Sequence, residues 1–283
     1  MAAASGRKVL IDGLVFPEGP RWRAGKLWFS DMLAGKVMRV DLDGHAEIVA
    51  TSPGTDWLSG LGWLPDGRLL VVAMQGRKLL RLDGKKLVEA ADLSALTSYL
   101  TNDMVVDARG RAYVGEVGFD VHGGAPFKAA ALVLVTPEGR ARVVDPDLSC
   151  PNGAVITPDG RTLIVAESLA DRLTAYAIAD DGSLSRRRTW AVVEGLGPDG
   201  ICLDAEGCIW VASPMRGIVQ RVREGGEVLE SFPTEIMPLA PMLGGPDRCT
   251  LFVCEGPRPD EALVSRKGRI EIMRVEVPGV GLP

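Results

Sequence analysis

The chain is short of histidine, aromatic residues and cysteine. Its 283 residues include two histidines, His45 and His122, five cysteines, and 5% aromatic residues. The cysteines Cys150, Cys202, Cys208, Cys249 and Cys254 form no CxxC pair and no zinc spacing, which excludes a zinc ribbon or a dithiol redox centre. Their odd number predicts unpaired thiols in a reducing cytoplasm. A Cys–His nucleophile would have to be built from Cys150 and one of the two histidines, and this is the weaker reading. No aromatic pattern suited to gripping a peptide is visible. No basic tract stands out beyond Arg186-Arg187-Arg188 in a polar loop, and the formal charge is −5. Nucleic acid and anionic membrane surfaces are therefore not expected partners. No apolar run is long enough to cross a bilayer, and residues 1–8 are followed by no apolar stretch of the kind an export signal needs. Helical periodicity is scarce. Only residues 93–100 carry a weak trace of it.

What the chain has in quantity is glycine (34), proline (19) and 46% apolar residues, the mixture of turns and short buried strands found in all-β proteins. One motif recurs: a polar residue, a short apolar strand, an Asp-Gly type of turn, a second apolar strand and a polar exit. It is plainest from Ser149 through Pro151-Asn152-Gly153, Pro158-Asp159-Gly160 and Glu167-Ser168. Aligned starts fall at Glu18, Gly60, Asn102, Asn152, Asp199 and Met242. Six units of roughly 42 to 50 residues, each with several strands, predict a six-bladed β-propeller occupying residues 1–283 as one domain. Residues 8–11 are expected to add an outer strand to the last blade, beside the run 269–277, closing the ring and hiding its edges.

In a propeller the residue opening each innermost strand lies near the axis. Four openers, Glu18, Asn102, Asn152 and Asp199, are oxygen ligands, whereas Gly60 and Met242 are not. Two carboxylates and two amides converging at one point call for a counter-charge. A hard divalent cation supplies it, Ca²⁺ first, with Mg²⁺, Mn²⁺, Zn²⁺ and Fe²⁺ left open.

These same residues, with Pro17-Glu18-Gly19-Pro20, Asn102-Asp103, Pro151-Asn152-Gly153 and Pro198-Asp199-Gly200, carry a likeness. Over essentially its full length the chain resembles the SMP-30/gluconolactonase/luciferin-regenerating-enzyme family. The resemblance implies a propeller with one central divalent metal and lactone-hydrolysing activity. It implies Glu18, Asn152 and Asp199 as metal ligands, Asn102 as the residue facing both metal and substrate, and Asp199 as the general base. One position departs. Sugar-lactone members often carry Arg two residues before the Asn, where this chain has Leu100, so a bidentate donor for sugar hydroxyls is missing.

Strand parity places the Asp-Gly turns, with Asp66 and Asp159, on the face away from the metal, where turn chemistry explains them. The loops between the second and third strands line the mouth. The longest, residues 118–127, contains Asp120, which the resemblance implies as a substrate contact together with Asn102 and the Leu100 position, and His122, a competing general base below Asp199. Asp103 is read as orienting a ligand, and Glu116 is left open between structure and function. Trp57, Met74, Leu100, Phe119, Met215, Met237 and Met242 give the mouth or the adjoining core an apolar cast. The reading is a lactonase acting on a small molecule. Its rivals are an aryl-ester or phosphotriester hydrolase on the same metal, and a calcium- or small-molecule-binding propeller without turnover.

Overall fold

Short apolar runs punctuated by Gly and Asp cannot sustain helices, and each two-strand unit leaves an apolar face uncovered. In the computed structural model, which describes residues 6–121 and 123–281, the chain answers both constraints as a six-bladed β-propeller. After β1 (Lys8–Leu14), the first blade comprises β2 (Pro17–Arg23), β3 (Lys26–Asp31), β4 (Lys36–Val40) and β5 (Ala46–Thr51). The second has β6 (Leu58–Trp63), β7 (Leu69–Ala73), β8 (Lys78–Asp83) and β9 (Lys86–Asp92). The third has β10 (Thr101–Val106), β11 (Ala112–Glu116), β12 (Ala130–Val135) and β13 (Ala141–Leu148). The fourth has β14 (Pro151–Ile156), β15 (Thr162–Glu167), β16 (Arg172–Ile178) and β17 (Leu184–Val192). The fifth has β18 (Ile201–Leu203), β19 (Ile209–Ser213), β20 (Ile218–Val222) and β21 (Val228–Pro233). The sixth takes β22 (Met237–Gly244), β23 (Thr250–Gly256) and β24 (Gly268–Arg274), and β1 from the other end of the chain fills its outer position.

All pairing within the sheets is antiparallel, and Lys8 of β1 lies opposite Ile272 of β24. The six innermost strands touch one another in a closed circuit, β2 to β6 to β10 to β14 to β18 to β22 and back to β2. Burial follows the radius. β7 (LLVVA) and β12 (AALVLV) are covered on both faces and read as continuous apolar runs, whereas outer β17 is mostly exposed. The core is the set of seams between blades. Leu70, Val72 and Met74 of the second blade pack with Met104, Val114 and Val133 of the third. At the closing seam Trp22 stacks on Phe252 with ring centroids 5.3 Å apart. Gly244 permits this contact, since a Cβ there would stand 2.5 Å from the Trp22 ring.

One α-helix, α1 (Pro259–Ser265), crosses the loop after β23. Two prolines in this stretch, Pro257 and Pro259, would be expected to interrupt regular structure. Pro259 instead takes the first helical position, where its missing N–H costs nothing, and the Glu261 carboxylate accepts from the Arg258 N–H at 3.4 Å. Residues 93–98 form turns rather than a helix. Among the described residues no helix is long and apolar enough to cross a membrane.

Candidate metal centre

Five of the six inner strands open with the same defect. On β10, Thr101 faces Glu116 and Met104 faces Val114, so three steps on one strand match two on the other. The same one-residue excess occurs between Pro151 and Ala154 on β14, Leu58 and Leu61 on β6, and Glu18 and Arg21 on β2. Such bulges bend a strand and re-aim a side chain. Counted from this register, Glu18, Ser59, Asn102 and Asn152 are equivalent. In the fifth blade Asp199 takes the position, its N–H donating to the Ala212 carbonyl at 3.0 Å. In the sixth the bulged residue lies between Pro238 and Ala240, which is Leu239.

The structural openers are therefore Ser59 and Leu239 where sequence alignment chose Gly60 and Met242. Met242 is equivalent to Arg21, deeper along the axis, where both line a cavity of about 20 Å³ with Val155 and Cys202. The residues following the openers are Gly19, Gly60, Asp103, Gly153, Gly200 and Ala240. All but Asp103 are small because neighbouring backbones meet there: a Cβ on Gly153 would lie 2.8 Å from the Gly200 Cα.

The four candidate ligands are half-buried at the ring of openers. Burial pushes the Glu18 carboxyl well above the usual carboxylate range, and the charges of Asp199 and Asp103 push it further, against the Gly19 N–H and Arg21. Burial, followed by the charge of Asp103, pushes Asp199 up to about 8, with the Asn152 amide opposing. Burial likewise raises Asp103 against the pull of Arg21. These mutual effects put three carboxylates within one another's field. Asn152 Nδ2 donates to Ser168 Oγ at 3.3 Å, and Ser168 Oγ donates to the Pro198 carbonyl at 2.7 Å. Ser168 thus ties the fourth-blade opener to the segment carrying Asp199.

Other sequence candidates fall elsewhere. Asp120 is held by its own loop, with Oδ1 accepting from the Gly123 N–H at 2.8 Å. Leu100 is half-buried against the core shared by the second and third blades, beside Trp57. Its carbonyl accepts from the Val117 N–H at 2.8 Å. Met74 and Met242 are core residues, whereas Met215 (82% exposed) and Phe127 (60% exposed) stand open on loops at the opener end of the blades. His122 lies outside the described residues. His45 sits in the exposed β4–β5 turn with Asp41 and Asp43, whose ligand atoms and its own converge within 4.8 Å. Turn chemistry accounts for that group, because Asp41 Oδ1 accepts from the N–H groups of Asp43 and His45, each at 3.0 Å. All five cysteines are free and buried. Burial and the Asp199 charge push Cys150 up to about 12, the wrong direction for a thiolate nucleophile.

The polar exits are buckles. Glu116, at the end of β11, accepts from the N–H groups of Ser98 (2.6 Å), Tyr99 (3.1 Å) and Ala131 (2.8 Å). Asp31 accepts from Val15 and Phe16, and Glu167 from Ser149. Each pins the segment that leads into the opener of its own blade. Sequence reasoning missed Arg21, whose only local signal is a cation in an inward-facing strand.

The comparisons fit this architecture. A 6-deoxy-6-sulfogluconolactonase of Pseudomonas putida is 30% identical, with 95% of this chain and 94% of that protein covered. A pentonolactonase of Haloferax volcanii is 29% identical over 83% of this chain and 80% of its own length. Regucalcin of Agrobacterium tumefaciens, a calcium-binding protein, superposes with a TM-score of 0.81 at 24% identity, covering 99% of this chain and 96% of that one. The sequence profile of the SMP-30/Gluconolactonase/LRE-like region matches residues 16–256, and the chain belongs to that family.

Proposed function

We propose that the chain is a divalent-cation-dependent lactonase. The carrying observation is the register: Glu18, Asn102, Asn152 and Asp199 occupy one equivalent position in four blades, with two half-buried carboxylates among them. The donor set fits a hard cation. Its atoms are all oxygen-capable, and the carboxyls of Glu18 and Asp199 are raised by burial and by neighbouring carboxylates, Asp199 and Asp103 acting on Glu18 and Asp103 on Asp199, a strain that a cation relieves. Glu18, Asn152 and Asp199 would hold it, with Asn102 alongside. Bound there, Ca²⁺ or a related ion supplies Lewis-acid polarisation of the lactone carbonyl.

The chain's own groups do the rest. Asp199 accepts the proton of the attacking water as the water oxygen bonds to the carbonyl carbon. The Asn102 amide donates to the oxygen that gains charge. As the ring C–O bond breaks, the proton passes to the ring oxygen and the product is the open hydroxy acid. Substrate choice falls to the mouth. Leu100 and Trp57 offer apolar wall, and Met215 packs over Gly197, where an added Cβ would lie 2.9 Å from its sulfur. This favours lactones with an apolar substituent over aldonolactones, with Asp120 a subsidiary contact. The relatives' activities support the reaction class. Five free, buried thiols suit a reducing compartment such as the cytoplasm.

The test is metal-stripped protein assayed on aldonolactones, alkyl-substituted lactones, aryl esters and phosphotriesters, with Ca²⁺, Mg²⁺, Mn²⁺, Zn²⁺ or Fe²⁺ restored singly. Lactone turnover restored by one ion, and a loss of about a hundredfold or more in kcat for Asp199→Asn, is the expected result. Cation binding with no turnover on the panel would leave a binding propeller instead.

A further inference from the structure

Two residues break the repeat, and they meet each other. Among the residues that follow the openers, five are Gly or Ala and the sixth is Asp103. Two positions beyond, equivalents of Arg21 are Gly62, Val105, Val155, Cys202 and Met242, so Arg21 alone is charged. Both exceptions are buried, at 6% exposure for Arg21 and 8% for Asp103. The Asp103 side chain occupies the space above Gly60, where a Cβ would lie 2.6 Å from its Oδ1. It thereby reaches across the second blade toward the first. Arg21 Nη2 donates to Asp103 Oδ1 at 3.3 Å and to the Met104 carbonyl at 2.6 Å, and Nη1 donates to the Pro20 carbonyl at 2.8 Å. The Met104 N–H donates to Asp103 Oδ1 at 2.7 Å. The guanidinium is fixed at three points and its carboxylate at two.

We propose that Arg21, paired with Asp103 beneath the openers, is the positioning residue that sets the charge of the central site at −2 and so selects divalent over trivalent cations. This rests on the cation site proposed above. Glu18, Asp199 and Asp103 carry three negative charges when ionised, and Arg21, always protonated, returns one. A divalent ion then neutralises the buried set, whereas a trivalent ion leaves an excess positive charge in a low-dielectric channel. Arg21 need not touch the ion to do this. Asp103 holds it at a fixed depth, and the two backbone contacts, to the Pro20 and Met104 carbonyls, stop it from swinging up among the openers.

The experiment measures Ca²⁺ and Tb³⁺ affinities by calorimetry on four full-length proteins: wild type, Arg21→Met, Asp103→Asn and the double variant. With every remaining carboxylate ionised, as at a pH above their raised pKa values or with a cation bound, the central charge is −2, −3, −1 and −2 respectively. The ratio of Tb³⁺ to Ca²⁺ affinity rises about tenfold or more in Arg21→Met and falls comparably in Asp103→Asn. In the double variant it returns to the wild-type value. Arg21→Met leaves a buried carboxylate unpaired; if it does not fold, Asp103→Asn against the double variant and wild type carries the same contrast. A purely structural pair would weaken both ions together and leave the ratio constant, and that result overturns the inference while sparing the cation site. Wild type that binds neither ion sinks both.

Discussion

Replacing Glu116 by glutamine separates structure from chemistry at the mouth. Glu116 is 2% exposed. Its Oε2 accepts from the Ser98 and Tyr99 N–H groups and from Ser98 Oγ, and its Oε1 from the Ala131 N–H. Glutamine has the same shape but only one acceptor oxygen. Keeping the carbonyl toward Ser98 and Tyr99 turns the NH₂ against the Ala131 N–H, donor to donor, and the opposite flip loses more. An orphaned buried N–H costs about 1–3 kcal/mol, and the surviving bonds lose their charge assistance. The expected loss is about 3 kcal/mol in urea unfolding at pH 7. Because the pinned residues lead directly into Leu100 and Asn102, Ca²⁺ affinity falls as well. The kcat of the folded fraction on its best lactone stays within about tenfold of wild type, since a general acid–base contributes about a hundredfold or more. A variant as stable as wild type but inactive would refute this account and move Glu116 into the chemistry.

Leu100→Arg supplies the guanidinium that the family resemblance implies for sugar-lactone substrates. Its kcat/KM for an aldonolactone should rise by about tenfold relative to an alkyl-substituted lactone, and an unchanged preference would remove Leu100 from substrate selection. Glu255, fully buried at the end of β23, tests the linkage between burial and pH. Burial and the Glu271 charge push it from 4.5 up to about 7 against Arg269, so between those values the folded chain holds a proton that the unfolded chain has released. Stability therefore falls as pH rises through this window, by up to about 3 kcal/mol. Glu255→Gln should flatten that part of the profile when unfolding midpoints are compared at pH 4.5 and 7.5; a parallel profile would show that the carboxyl ionises freely in the fold.

What the sequence discloses and what it hides divide along a physical line. Local punctuation is legible. Pro-Glu-Gly, Pro-Asn-Gly and Pro-Asp-Gly mark the bulge where an inner strand opens, and the three openers found through them, Glu18, Asn152 and Asp199, hold their equivalent positions in the structure. Of the three blades without the signature, the third keeps its register at Asn102 and the other two slip, by one residue at Leu58-Ser59-Gly60 and by three at Pro238-Leu239-Ala240-Pro241-Met242. Strand alternation has a period of two and cannot register a one-residue excess. An apolar opener such as Leu239 reads simply as strand interior. The exit carboxylates were visible as polar residues, but only their partners across the sheet reveal that they grip backbone. Arg21 and Asp103 lie 82 positions apart, beyond any local pattern. Yet each is an exception to its own repeat, and in a structure built from near-copies an exception that survives burial needs a partner. Aligning the blades by hydrogen-bond register, and then asking which buried residues differ in charge from their equivalents, would have singled out this pair before any side-chain contact was measured. The same comparison leaves Ser59 and Leu239 as the two openers without a charge or an amide, so the proposed ion would draw its protein ligands from the first, third, fourth and fifth blades. The openers of the second and sixth blades, one on either side of the first, would then be left for substrate, and Trp57 and Met237 each stand two residues before one of them.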